Sequence, residues 1–250
     1  MSPKTIKNIH GVVHKGLQQA LEINYITANP SNACKLPRVE KTKIKPLSEI
    51  EISNFLKSIN GHQFEDLFLF TLFTGMRQGE VLGLTWDSVD LQNGTILIYQ
   101  QLQRIEGVYM FVSLKNDRSR NITLPPSIIK LLQEHKAVQN QWRLIAGSAW
   151  EDSNLVFSNQ LGGHLAHVTV STNYKKIVKS IGLPEARFHD LRHSYAVAAL
   201  QSGDDIKSVQ ENLGHHTASF TLDVYGHVSD RMKTESANRM ESFIKGVKNL

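Results

Sequence analysis

The segment T-G-M-R-Q-G-E, residues 74–80, places an arginine three positions before a glutamate. If residues 77–84 form a helix, Arg77 and Glu80 lie on one face and can pair. An arginine carries a permanent charge, and its forked donors match a carboxylate or a phosphate. The segment therefore predicts either a surface ion pair of little energetic value or an arginine held in place for an anion.

A second basic group is Lys115, which is followed by Arg118 and Arg120 in a polar segment. The period-two pattern on both sides of this segment predicts that Lys115 lies in a turn between two strands. Turns are polar in most proteins, so Lys115 by itself predicts only a solvated side chain.

The segment F-H-D-L-R-H, residues 188–193, combines two histidines with an arginine. On a helix, His189 and Arg192 point the same way, and His189 and His193 have the spacing of two zinc ligands in His-Glu-x-x-His. Here Asp190 takes the place of the glutamate, and Arg192 puts a fixed cation beside any divalent metal. The segment therefore favours a phosphate site over a metal site.

The fourth cluster lies near the end of the chain. Leu213-Gly214 is predicted to end a helix, His215 follows the glycine, and Tyr225 comes ten residues later. Taken alone, such a tyrosine is typical of a core or surface aromatic residue.

Most of the elements that must position these side chains are helical. Apolar spacing predicts one or two helices within 4–27, a helix opened by a capping box at Ser48 and Glu51, and a buried helix at 67–75. Further helices are predicted at 127–146, 167–181, 189–202, 204–212 and 230–247. Segments 95–100, 108–114 and 120–125 alternate with period two and predict a three-stranded antiparallel sheet. The fold class is therefore α+β and mostly helical.

Composition excludes several classes of protein. Hydrophobic residues make up 40% and charged residues 20% of the 250 residues, which suits a globular chain and not a disordered or collagen-like one. The single cysteine, Cys34, cannot form an internal disulfide and fits a reducing compartment. The chain has no apolar run long enough to span a membrane and no signal-peptide core, so a cytoplasmic protein is expected.

The basic excess is concentrated at the N-terminal end. Residues 1–46 contain eight Lys/Arg and two acidic residues, a balance of +6, whereas residues 47–250 balance at −1. This asymmetry is expected of a segment that meets a polyanion, although a solvated charged helix face would also explain it. Residues 35–46, with two prolines and alternating basic residues, are interpreted as an extended linker.

Together, the order and spacing of the four clusters resemble the catalytic domain of the tyrosine recombinases. The tail L-G-H-H-T-A-S-F-T-L-D-V-Y-G-H-V is most similar to integrases of phages and conjugative transposons. The resemblance implies the recombinase catalytic-domain fold for residues 47–250, with its small sheet. It also implies a basic linker at 35–46 and, at 1–34, the C-terminal part of a helical core-binding domain. The N-terminal stretch is shorter than the domains that family members usually carry there.

The resemblance implies phosphoryl transfer without a metal or other cofactor. In this mechanism Tyr225 attacks the scissile phosphate, which leaves a 3′-phosphotyrosyl bond and a 5′-hydroxyl. Lys115 protonates the departing 5′-oxygen, and His189 accepts the proton of the tyrosine.

The resemblance also assigns the residues that stabilise charge. Arg77, Arg192 and His215 donate hydrogen bonds to the phosphate oxygens as negative charge builds on them. Glu80 is expected to hold Arg77 or a histidine in place and to take no part in proton transfer.

Double-stranded DNA is the implied partner, and a homotetramer on paired DNA sites is the implied assembly. In that assembly the predicted helix at 230–247 docks on a neighbouring protomer; packing on its own domain is the alternative. Three other functions remain open: a non-catalytic DNA-binding regulator on the same fold, a metal-dependent hydrolase using His189, Asp190, His193 and His215, and a DNA-relaxing topoisomerase.

Overall fold

The computed structural model describes residues 1–39, 45–114 and 119–214, together with residues 237, 238, 240, 241, 244 and 245. The last six positions are helical and fall within the predicted helix at 230–247. The chain divides into two units, Met1–Lys43 and Ile44–Leu250. Among the described residues, no helix combines the length and the apolar character needed to cross a membrane.

The first unit is one long helix with a short turn packed beside it. Helix α1 (Pro3–Glu22) is capped by Ser2, whose Oγ accepts a hydrogen bond from the Thr5 backbone N–H at 3.1 Å. The helix stops before the predicted limit of residue 27, and Asn24 just beyond its end has a left-handed φ of 61°. A 3₁₀ turn (Pro30–Ala33) is held against α1 by a 2.7 Å hydrogen bond between His14 Nδ1 and Ser31 Oγ.

The second unit contains the remaining helices and all the described strands. Its helices are α2 (Glu49–Ile59), α3 (Glu65–Thr74), α4 (Gln78–Leu82), α5 (Pro126–Ala146), α6 (His167–Ser180), α7 (Phe188–Gln201) and α8 (Ile206–Leu213), with 3₁₀ turns at Trp86–Ser88 and Gly147–Ala149. The predicted capping box is present, because the Ser48 N–H donates to Glu51 Oε2 at 2.7 Å and starts α2. The mostly helical fold class with a small sheet is confirmed.

The strands pair differently from the prediction. Strands β1 (Val89–Asp90), β2 (Thr95–Ile98) and β5 (Arg120–Thr123) form a three-stranded antiparallel sheet in the order β1-β2-β5. Strands β3 (Gln100–Ile105) and β4 (Val108–Ser113) form a separate hairpin. The predicted pairing of 108–114 with 120–125 is therefore wrong, and the segment that carries Lys115 connects strands of two different sheets.

The turn between β3 and β4 explains this difference. Ile105 lies opposite Val108, so the loop contains only Glu106 and Gly107. Both loop residues have positive φ, 50° and 89°, as the tightest hairpin turns require. This turn pairs β4 with the strand just before it and leaves β5 free to pair with β2.

Aromatic packing fixes the start of α7, the helix that carries His189 and Arg192. The Phe68 ring of α3 lies 6.1 Å from Phe55, 5.8 Å from Tyr174 and 6.1 Å from Phe188. These rings belong to α2, α3, α6 and α7, and all four side chains are buried. Such clusters are well packed and stiff, so the first turn of α7 is held against the core of the unit.

A second, smaller core joins α7 to α8. It consists of Ala196 and Leu200 from α7 with Val209 and Leu213 from α8, and it is separate from the main cluster. Asp205 caps α8, with its Oδ1 accepting from the backbone N–H groups of Lys207 at 2.9 Å and Ser208 at 3.0 Å. The cap fixes where α8 begins, and the packing of Leu213 against α7 holds its last turn in place.

Candidate active site

Arg77 and Glu80 form the predicted pair at the start of α4. The Arg77 backbone N–H donates to Glu80 Oε2 at 2.9 Å, and Arg77 Nη1 donates to Oε1 at 2.7 Å. The Glu80 side chain has no exposed surface, whereas 40% of the Arg77 side chain is exposed. The pair is therefore not a surface ion pair: a buried carboxylate holds a guanidinium group at the surface of the site.

Arg120 is a second partner of Glu80 that sequence reasoning missed. Its Nη2 donates to Glu80 Oε2 at 2.6 Å and its Nη1 to Oε1 at 3.1 Å, so the contact has two parallel hydrogen bonds. Burial raises the pKa of Glu80, but the hydrogen bonds and charge of Arg120, and then Arg77, outweigh it and lower the pKa to about 2. Glu80 is therefore ionised throughout the neutral range.

Three arginines meet at the C-terminal end of α8. They donate to three consecutive backbone carbonyls: Arg120 Nε to Asn212 at 2.8 Å, Arg192 Nη2 to Leu213 at 2.6 Å, and Arg77 Nη2 to Gly214 at 3.2 Å. The last carbonyls of a helix lack partners within the helix and carry partial negative charge, so cations are stabilised there. Gly214 ends α8 in the left-handed conformation with φ 61°, and His215 is the next residue in the chain.

Arg192 links the ends of two helices. Its Nη1 donates to the Gly75 carbonyl at 2.8 Å, just beyond α3, while its Nη2 reaches the end of α8. Only 1% of Arg192 is exposed. The contacts place Arg77 and Arg192 on adjacent carbonyls, which brings together two groups that are 115 positions apart in sequence.

His189 lies on the exposed side of α7, one turn before Arg192. Partial burial lowers the pKa of His189, and the charges of Arg192 and Arg77 lower it further. The ring of His193 lies 4.7 Å from that of His189, and burial together with His189 lowers the pKa of His193 to about 4. A His189 imidazole that is neutral at neutral pH can accept a proton.

The metal-hydrolase alternative finds no support in the geometry of its described donors, His189, Asp190 and His193. Asp190 turns back to Arg187, accepting from its backbone N–H at 2.8 Å and from its Nη2 at 3.2 Å. Within the described ranges, no three His, Cys, Asp or Glu side chains are grouped as metal ligands.

A basic groove of about 710 Å³ runs along α6 and reaches His189. Its cationic side chains are Lys175, Lys176, Lys179 and Arg187, and no acidic side chain occurs among the described residues that line it. Gln78 also lines the groove, with its Nε2 donating to the His167 carbonyl and to Ser171 Oγ, both at 3.0 Å. The groove therefore presents cationic side chains to an anionic partner beside His189.

The other three predicted site residues, Lys115, His215 and Tyr225, lie outside the described residues. The structure thus brings together Arg77, Glu80, His189 and Arg192 and adds Arg120. The sequence holds no local signal for Arg120, because its partners Glu80 and Asn212 lie 40 and 92 positions away.

The chain is similar to known proteins of one family. Residues 43–232 match the phage integrase family. A tyrosine recombinase XerC-like protein from Caldanaerobacter subterraneus subsp. tengcongensis is 29% identical over 96% of this chain, and the ICEBs1 integrase of Bacillus subtilis is 25% identical over 98%. The chain spans 66% and 67% of the lengths of these two relatives, respectively.

Solved structures have the same fold. The Tn1549 transposon integrase in complex with transposon right end DNA superimposes with a TM-score of 0.79 at 22% identity, over 96% of this chain and 80% of that one. A lambda integrase dimer bound to a core site gives a TM-score of 0.64 at 18% identity, over 90% of this chain and 60% of that one. With the family match covering most of its length, the chain belongs to the phage integrase family and contains a tyrosine recombinase catalytic domain.

Proposed function

We propose that this chain is a site-specific DNA recombinase that cuts and rejoins strands through a covalent phosphotyrosyl intermediate. The observation that carries the proposal is the meeting of Arg77 and Arg192 at the end of α8, one residue before His215 in the chain, with His189 close enough to feel the charge of both. In a member of the phage integrase family, these groups are the ones that the chemistry requires.

In the proposed first step, the Tyr225 phenol oxygen bonds to the scissile phosphorus while the bond to the 5′-oxygen breaks. The phenol proton passes to His189, and Lys115 supplies a proton to the departing 5′-oxygen. Attack by a 5′-hydroxyl of a second strand then reverses the sequence and releases Tyr225. No bond energy is lost, so the exchange needs no nucleotide cofactor.

The arginines supply the electrostatic part of the reaction. The transition state carries extra negative charge on the non-bridging oxygens, and fixed cations stabilise it without rearrangement. Arg77 is suited to direct contact because 40% of its side chain is exposed. Arg192 and His215 are proposed to complete the set, with Glu80 holding Arg77 in position.

We propose double-stranded DNA as the partner, held along the basic groove. Evenly spaced phosphates suit Lys175, Lys176 and Lys179, which are exposed on one helix. Residues 1–34 are proposed to be the end of a core-binding domain and 35–46 its linker to the catalytic domain at 47–250. Such a protein would act in the cytoplasm, where its DNA substrate is located.

We further propose that four protomers assemble on paired DNA sites. The support is the predicted amphipathic helix at 230–247, which can bridge neighbouring protomers. Mass measurement of the assembled complex tests the number: four protomers are expected, and a stable complex of two would contradict the proposal.

The decisive experiment is covalent trapping on a nicked DNA site. We expect the wild-type chain to form a protease-sensitive DNA adduct that survives denaturation and forms in the presence of EDTA. Tyr225→Phe should bind the same DNA but form no adduct, because phenylalanine has no nucleophilic oxygen. An exposed tyrosine, Tyr99, provides the matched control, since Tyr99→Phe should leave the adduct.

An adduct formed by Tyr225→Phe would exclude Tyr225 as the nucleophile. Specific DNA binding by the wild-type chain without any adduct would favour the non-catalytic regulator. Relaxation of supercoiled DNA without strand exchange between two sites would favour the topoisomerase alternative.

A further inference from the structure

Arg120 joins three elements of the catalytic unit. It begins β5, its Nη groups donate to both carboxylate oxygens of Glu80 on α4, and its Nε donates to the Asn212 carbonyl on α8. Its side chain is only 10% exposed. The forked guanidinium therefore uses its three nitrogens as donors inside the protein, which a lysine cannot reproduce.

The end of α8 is shaped around this side chain. A Cβ atom on Gly214 would lie 2.9 Å from Arg120 Nη1 and 3.2 Å from its Cζ, so any other residue there would press on the guanidinium. Gly214 thus serves two needs: its left-handed φ ends the helix, and its missing side chain makes room for Arg120.

Arg120 and Arg77 share one carboxylate. Each oxygen of Glu80 accepts from both arginines: Oε1 from the two Nη1 atoms, and Oε2 from Arg77 N and Arg120 Nη2. With Arg120 removed, Glu80 would keep a single cationic partner, and the Asn212 carbonyl would lose its guanidinium donor. Both the orientation of Arg77 and the exit of the chain toward His215 would then be less constrained.

We propose that Arg120 is a positioning residue of the recombinase: it fixes Glu80 and the end of α8, and through them holds Arg77 in the geometry that binds the scissile phosphate. This inference rests on the proposed function. Arg120 acts through its neighbours and is distinct from the residues that contact the phosphate.

The test compares Arg120→Lys, Arg120→Gln and the double variant Arg120→Gln with Glu80→Gln. For each, the rate of adduct formation at saturating nicked DNA is measured beside the DNA dissociation constant and the melting temperature. The matched control is Arg143→Gln, because Arg143 also pairs with a carboxylate, Asp152 at 3.0 Å, but on the exposed surface. Arg143→Gln should react like the wild type.

Arg120→Lys should lower the rate about 10- to 100-fold, as is typical when a residue that orients a reactive group is changed, with little change in DNA affinity. Arg120→Gln should in addition begin to lose activity at a higher pH than the wild type does, because Glu80, now facing only Arg77, is protonated at a higher pH than in the wild type. The double variant has no carboxylate at position 80 to protonate, so it should keep only the acid dependence that His189 gives the wild type. If Arg120 had a merely structural role, Arg120→Gln would show no additional loss of activity at acid pH that Glu80→Gln could remove.

An unchanged rate in Arg120→Lys would overturn the inference. So would a rate loss that follows the melting temperature alone and has the same pH dependence in Arg120→Gln and the double variant. These outcomes differ from failure of the proposed function, in which the wild-type chain itself forms no adduct.

Discussion

The three arginines around the end of α8 have the same guanidinium group but lie in two different environments. Arg192 and Arg120 are almost fully buried and donate to backbone carbonyls, whereas a large part of the Arg77 side chain is exposed. A buried guanidinium must be fully hydrogen-bonded, so the first two serve the architecture of the site as well as its charge. The exposed part of Arg77 is accessible to a ligand from outside the protein.

Glu80 is the group whose ionisation should be visible in the stability of the protein. Its pKa falls from 4.5 to about 2 on folding, so its contribution is complete above pH 4.5 and is lost as the pH falls toward 2. The contribution is about 3 kcal/mol. Glu80→Gln should lower the free energy of unfolding at pH 7 by about that amount and flatten its acid dependence. Denaturant unfolding at a series of pH values measures both.

The control for this prediction is Glu134→Gln. Glu134 also pairs with a cation, Lys130 at 3.8 Å, but both side chains are mostly exposed. Its substitution should change stability much less, since exposed ion pairs are worth little. Equal losses in the two variants would show that burial of Glu80 does not matter.

The lowered pKa of His189 sets the pH range of the proposed reaction. A proton acceptor must be neutral, and removal from water together with Arg192 and Arg77 moves the pKa of His189 below 6.5. The loss of the rate of adduct formation at acid pH should therefore have its midpoint below pH 6.5, the usual pKa of a histidine. His189→Gln should be slow at every pH, whereas His62→Gln should match the wild type. A wild-type rate already halved above pH 6.5 would contradict this role.

At the level of elements, the junction after α3 is the most demanding backbone position near the site. Gly75 has φ 65°, and a Cβ there would lie 2.4 Å from Tyr195 Cδ1; its carbonyl also accepts from Arg192. Gly75→Ala should cost about 2 to 4 kcal/mol, combining left-handed strain with overpacking. Gly61→Ala isolates the strain, because Gly61 has φ 73° but open space, and it should cost about 1 kcal/mol. Thermal or denaturant unfolding measures the difference, which should vanish if the clash with Tyr195 is relieved without cost.

The alternation of apolar and polar residues could not predict how the strands pair. Period two identifies β4 and β5 as strands but carries no information about their partners. The partner of β4 follows from the Glu106-Gly107 turn, whose positive φ values make a tight hairpin with β3. The available signal for this hairpin was the pair Glu106-Gly107, a short gap with a glycine between two segments of alternating residues.

For the molecule as a whole, the basic groove should dominate DNA affinity. Replacing Lys175, Lys176 and Lys179 with alanine should weaken binding to any DNA sequence. It should also lower the slope of log Kd against log salt concentration by about one for each phosphate contact that is lost. Alanine at Lys57, Lys130 and Lys136 removes the same charge elsewhere and should have a smaller effect. Titrations at several salt concentrations test this, and identical slopes for the two triple variants would contradict the groove as the DNA surface.

Much of the fold could be predicted because helix periodicity is local. The helices expected at 127–146 and 167–181 are present as Pro126–Ala146 and His167–Ser180. Arg77, His189 and Arg192 were predicted through the family resemblance, and the structure gathers them. Arg120 was missed because its role depends on a buried carboxylate and a helix end that only the tertiary fold brings to it.

The separate small core of α7 and α8 gives the site its own stability. Because that core has just four buried residues among those described, Ala196, Leu200, Val209 and Leu213, we expect α8 to open locally while the aromatic cluster around Phe68 stays intact. Backbone amides of α8 should then exchange with solvent hydrogen faster than those of α3. Each such opening would release the carbonyls that hold the three arginines. The arrangement of the arginines would therefore be lost at temperatures where the rest of the domain is still folded.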